Sequence, residues 1–165
     1  MISGRLMTQF RNAAVLTALF LILLPVALIA EDRDENYAKY LFSNGYYDEA
    51  ARTYLYLQYS SSDAAKKNTF SYWMGRSYFE KRDFSAAEKN FKPLISRTDF
   101  AALSHYDIYF DYLRSIYFQK RFYEVSFEIE NGKYSSDSDR IAELNGWCAI
   151  NTSDWSKAAE IFNRL

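Results

Sequence analysis

At 165 residues with a formal charge of −1, the chain is sized for one domain and has no basic surplus of the kind nucleic-acid binding demands. A single histidine, His105, with no second ligand beside it, argues against a metal site; a single cysteine, Cys148, cannot form an internal disulfide. Packing must therefore hold the fold, and 19% aromatic residues supply more rings than its helical seams consume.

The N-terminus differs in kind from the rest. Arg5 and Arg11 precede an uncharged apolar run from Ala13 to Ala30, interrupted by Pro25 and followed by the acidic stretch Glu31-Asp32-Arg33-Asp34-Glu35. A basic start, an apolar middle and a small exit residue form the pattern of a secretory signal peptide. Residues 1–30 are therefore expected to direct export, into the periplasm or envelope of a bacterium, and then to be removed. Retention as a membrane anchor is the competing expectation, because the run reaches the lower limit for spanning a bilayer. No cysteine stands near its end, which excludes a lipid anchor there. Without this segment, eighteen cations face twenty-one acids, a charge of −3.

Beyond it the periodicity predicts helices throughout. Asn36 to Asn44 reads as the first, with Gly45 as its terminator, and Asp48 is expected to cap a second that reaches about Gln58. Asp63, after three serines, caps a long helix carrying Trp73 and Gly75. The turn Lys81-Arg82-Asp83 leads to a helix from about Ser85, which Pro93 should kink or end by removing a backbone donor. Thr98-Asp99 is expected to open the third pair and Asn131-Gly132 to close it in a left-handed conformation. Ser135 to Asp139 is a polar linker, and the fourth pair turns at Thr152-Ser153-Asp154. Nothing alternates with period two for long enough to be a strand. The expected class is all-α.

One pattern recurs. From Gly75, the offsets zero, three, nine, twelve and sixteen reach Gly75, Tyr78, Phe84, Ala87 and Phe91, all on the inner seam of two antiparallel helices. The same offsets give Ala38, Leu41, Tyr47, Ala50 and Tyr54; then Leu113, Ile116, Phe122, Val125 and Ile129; then Gly146, Ala149, Trp155, Ala158 and Phe162. The anchors 38, 75, 113 and 146 lie 37, 38 and 33 residues apart. In these residues the chain resembles the tetratricopeptide repeat family, from Asn36 to Leu165, with repeats at about 32–60, 64–97, 99–131 and 137–165. Through Tyr72-Trp73-Met74-Gly75 it also resembles repeats of exported envelope proteins of the Tol-Pal-associated and outer-membrane-assembly kind. The third repeat departs furthest, with Leu113 and Val125 where small residues are usual.

The resemblance implies a right-handed superhelix whose first helices line a concave groove. Groove positions would lie one after the anchor (Lys39, Arg76, Arg114, Trp147), four after it (Phe42, Phe79, Tyr117, Ile150) and three before it (Glu35, Tyr72, Phe110, Glu143). Lys39, Tyr72, Arg76, Phe79, Phe110, Arg114, Tyr117 and Trp147 are thus the candidate protein- or peptide-binding residues. Cations beside aromatics suit an acidic partner with apolar side chains; alternatively the rings pack between helices and the cations only solvate the face. No phosphate loop, nucleophile elbow or paired-cysteine motif exists, so no catalysis, cofactor or metal is expected. The function expected is a non-catalytic interaction scaffold of the envelope. The alternative is the helical part of a longer envelope enzyme such as a peptidoglycan hydrolase. The last helix carries Trp155, Ile161, Phe162 and Leu165 with nothing after them to cover them, so a continuation, a partner or a second copy is expected there; a frayed monomer is the plain alternative.

Overall fold

The computed structural model describes residues 34–100, 103–132 and 138–165. The expected export segment, 1–30, lies outside the described residues. Those residues form eight α-helices and no strand: α1 (34–43), α2 (Tyr47–Ser60), α3 (Ala64–Glu80), α4 (Phe84–Phe91), α5 (His105–Phe118), α6 (Phe122–Asn131), α7 (Asp139–Asn151) and α8 (Trp155–Phe162). A 3₁₀ turn, Lys92–Leu94, follows α4. No described helix is long and apolar enough to cross a membrane.

The helices are joined in pairs by four turns of one design. Each turn has three residues, and the middle one is left-handed: Gly45 (φ 82°), Arg82 (67°), Lys120 (63°) and Ser153 (62°). These four positions are separated by 37, 38 and 33 residues, the intervals of the seam anchors. The next residue closes each turn. Tyr46, Asp83, Arg121 and Asp154 all have φ between −81° and −89° and ψ between 57° and 74°. Their N–H groups donate to the carbonyls of Leu41, Tyr78, Ile116 and Ala149, each five residues back. Such a bond satisfies a carbonyl that a helix end leaves orphaned. Asp83 and Asp154 also accept from the N–H groups of Ala86 and Lys157 and so cap α4 and α8.

Inside the pairs, small residues let helices meet. A Cβ added to Gly75 would stand 2.6 Å from the Phe91 ring, and one added to Gly146 would stand 2.6 Å from the Phe162 ring. The anchor and the residue sixteen after it thus touch in both the second and the fourth pair. Ala50, Ala87, Val125 and Ala158, twelve after each anchor, are all buried. Neighbouring pairs are joined in turn: α2 packs on α3, α4 on α5 and α6 on α7, while α5 also touches both α3 and α7. Ala38, Leu41, Tyr54, Leu57, Phe70 and Met74 form one buried cluster, and the rest of the core runs from Tyr72 to Cys148; half-buried Trp73 and Tyr78 pack against both.

Several helix ends differ from their sequence expectations. Asp48 is not a cap; α2 begins one residue earlier, and Asp48 pairs with Lys81 of the next turn at 2.5 Å. α5 begins at His105 rather than at Thr98-Asp99, because the Asp99 carbonyl is taken by the Asn68 amide at 3.0 Å and the His105 ring meets the Arg97 carbonyl. These contacts tie the carbonyls of Arg97 and Asp99 to His105 and α3. Gly132 ends α6 with φ −80° and ψ 162°, extended rather than left-handed. Pro93 acts as expected: α4 stops at Phe91 and the chain tightens into the 3₁₀ turn.

Candidate functional site

The eight candidate residues fall on the first helices of the pairs, α1, α3, α5 and α7, and the structure divides them. Tyr72 and Phe79 are buried, 5% and 6% exposed, between α3 and α5. Both belong to the buried core. Lys39 is exposed and pairs within its own helix with Glu35 at 2.6 Å. Trp147 is 45% exposed, its ring edge-on to Phe162 at 5.6 Å.

Arg76 and Arg114 converge on a residue that sequence reasoning passed over, Asp111. It is 3% exposed. One carboxylate oxygen accepts from the Tyr72 hydroxyl at 2.9 Å and from Arg76 at 3.2 Å; the other accepts from Arg114 at 3.3 Å. Arg76 also reaches Glu80 at 2.9 Å. A lone buried carboxylate is costly, so two guanidinium groups and a phenol meeting it are what permit its burial. Burial, reinforced by the Asp111 charge and opposed by Arg76, pushes the Tyr72 phenol up to about 12. Arg76 is therefore a structural partner of Asp111 before it is anything else. Asp111 gave no signal in the sequence because its position, two before the anchor, is held by Asn36, Trp73 and Leu144 in the other pairs.

The remaining candidates surround a cleft of 180 Å³ between α5 and α7, lined by Phe110, Arg114, Tyr117, Phe118, Arg140, Glu143 and Leu144. The Arg114 guanidinium lies 4.5 Å from the Phe79 ring centre and 5.7 Å from that of Phe110. Arg140, also missed, lies 4.1 Å from the Phe110 ring centre and 5.6 Å from that of Tyr106. Aromatic faces hold guanidinium planes without using their N–H donors. Arg114 gives one hydrogen bond to Asp111, and Arg140 gives one to Asp107 at 3.2 Å. Each fork of five donors thus keeps capacity for a further acceptor. Tyr117 borders the same cleft, its hydroxyl accepting from Asn151 at 3.3 Å. Arg140 lay outside the family-derived positions because it falls six before its anchor, a full turn further toward the helix start.

Among the described residues no group of three or more His, Cys, Asp or Glu is placed to hold a metal ion. Cys148 is buried, and burial pushes its thiol up to about 12, so it packs as a small apolar group. No family model, curated protein or solved structure matches the chain.

Proposed function

We propose that this chain is a non-catalytic scaffold of the tetratricopeptide-repeat kind, exported to the bacterial envelope. It binds an acidic segment of a partner protein along the face built by α3, α5 and α7. The observation that carries the binding reading is the α5–α7 cleft, where Arg114 and Arg140 flank Phe110 with most of their donors uncommitted. A carboxylate can bridge two such forks while an apolar neighbour covers the ring between them. The four equal turns support the repeat reading, since they put the first helices of successive pairs in the same register. The apolar run before Ala30 supports export.

Selection of an acidic peptide library on the purified chain tests the site. The peptides recovered should carry a carboxylate beside an apolar residue and should be lost when Arg140→Glu replaces the wild type. Arg140 is the right position to change, because its side chain is 54% exposed and its pairing with Asp107 is at the surface. An unchanged set of peptides on the variant would remove the cleft from the account.

A further inference from the structure

Exposed tyrosine is concentrated in one helix pair. Among the described residues, five of the six exposed tyrosines, Tyr37, Tyr40, Tyr46, Tyr56 and Tyr59, belong to α1, α2 and the turn between them. Tyr37 and Tyr40 lie three apart on α1 and share a face; Tyr56 and Tyr59 do the same on α2. The short turn makes the two helices a hairpin, so the start of α1 and the end of α2 stand together. Tyr37, Tyr56 and Tyr59 are thus at the end where the chain enters the hairpin, and Tyr40 follows one turn further in.

The α1 face is not built for stacking. α3, α5 and α7 each pack on the helix pair before them, and each carries a small, fully buried residue two after its anchor: Ser77, Ser115 and Cys148. The residue one before the anchor is buried in all three as well. α1 has Tyr40 and Tyr37 at those places, 58% and 55% exposed. A phenol where stacking takes a small side chain keeps a further helix pair from nesting there. Residues 31–60 hold six acids and three bases, which repels an anionic surface. Tyrosine itself suits a boundary between apolar and wet surroundings, and it is enriched where proteins meet the surface of a bilayer. The chain brings a bilayer to this place. Its uncharged apolar run ends at Ala30, three residues before α1, and three residues span about 10 Å at most.

We propose that residues 13–30 stay in the chain as a membrane anchor, and that the tyrosines of α1 and α2 rest in the uncharged headgroup layer of the same bilayer. Leu28, three before the exit residue Ala30, is larger than the small residue that signal-peptide removal uses at that place. Arg5 and Arg11 stay on the cytoplasmic side and the helices stand outside. The inference rests on the export reading above and adds that the scaffold is held at the membrane surface by its first pair. The Arg114–Arg140 cleft belongs to the third and fourth pairs and takes no part in this contact.

Two measurements on the full-length chain made in a bacterium test this. Mass spectrometry should find residues 1–30 still attached in the salt-washed membrane fraction, and protease added to spheroplasts should digest the helices. A soluble chain lacking residues 1–30 overturns the proposal and leaves export standing. A full-length membrane chain that the protease cannot reach overturns the export reading and this proposal together. The purified chain is then placed in phosphatidylcholine vesicles with a fluorophore on Ser60→Cys, beside Tyr59, or on Ser156→Cys in α8; Cys148 is buried and stays unlabelled. A headgroup-linked quencher should quench the first label about threefold more than the second. Serine in place of Tyr37, Tyr40, Tyr56 and Tyr59 together should make the two equal, with helical circular dichroism unchanged. Equal quenching in the chain with its tyrosines, or a difference that the four substitutions leave in place, overturns the tyrosine contact.

Discussion

At the scale of single residues, the account turns on positions where a few atoms decide the packing. Gly75 and Gly146 occupy the same place in two different pairs, each against a phenyl ring at 2.6 Å from a would-be Cβ. Ring atoms at that distance must shift, and both rings lie in packed seams. Gly75→Ala and Gly146→Ala should therefore each cost about 1–3 kcal/mol in chemical denaturation. The cost at Gly75 should be the larger, because Phe91 is fully buried and Phe162 is not. Asp111 is decisive in another way. Replacing it by Asn leaves two guanidinium groups facing a neutral amide. Their side chains are 26% and 31% exposed, so solvent recovers part of the loss. Asp111→Asn should cost about 2–3 kcal/mol, less than for a fully buried pair, measured by urea unfolding.

At the scale of elements, the four turns are the most regular feature, yet their sequences have little in common. Gly45 takes the left-handed position freely, whereas Arg82, Lys120 and Ser153 hold it with a side chain in place. A left-handed non-glycine residue costs about 1–2 kcal/mol. Ser153→Gly should consequently raise the thermal midpoint, by about 1 kcal/mol of stability, and Gly45→Ala should lower it by a similar amount. Opposite signs from the two substitutions are the signature to look for. Three of the four turns were legible in the sequence, and the one centred on Lys120 was not. Polar triplets such as Lys81-Arg82-Asp83 and Thr152-Ser153-Asp154 stand between apolar periodic runs, and Asp63 was recognisable as a cap because its carboxylate serves N–H groups two and three residues on. Local chemistry of that sort is written within a few residues. The start of α5 was not legible, since the Asp99 carbonyl is taken by Asn68, 31 residues away. Asp111 and Arg140 were hidden for the same reason. A helix pattern shows which face a residue occupies but not which charge stands opposite it across 35 residues of chain.

At the scale of the whole molecule, the aromatic surplus divides three ways, and rings such as Tyr59, Tyr123 and Phe127 stand exposed at the surface. Many rings line the seams between helices, and a smaller set holds cations at the α5–α7 cleft. The phenols within the core also make the fold sensitive to alkali. Burial first, and the neighbouring carboxylate of Asp111 or Glu128 second, raise Tyr72 and Tyr109 to about 12; Tyr54 and Tyr112 are raised further. An unfolded chain would ionise these groups near their ordinary value of about 10, so it releases protons before the folded one does. Stability should hold up to about pH 10 and fall as pH rises toward 12, with the loss of helical circular dichroism accompanied by the rise of tyrosinate absorbance. Exposed tyrosines such as Tyr59 and Tyr123 contribute absorbance in the folded chain, so it is a tyrosinate signal already complete before the helical signal is lost that would show the buried phenols to be solvated.

The claim on which the function rests is that Arg114 and Arg140 offer their remaining donors to a partner's carboxylate while Asp111 is spent within the fold. Calorimetric titration of the best library peptide into the wild-type chain and into Arg140→Glu, at low and at raised salt, tests it most directly. Binding to the wild type should weaken with salt, and the variant should bind at least about tenfold more weakly with an unchanged unfolding midpoint. Equal affinity of the two proteins, or binding indifferent to salt, would contradict the account.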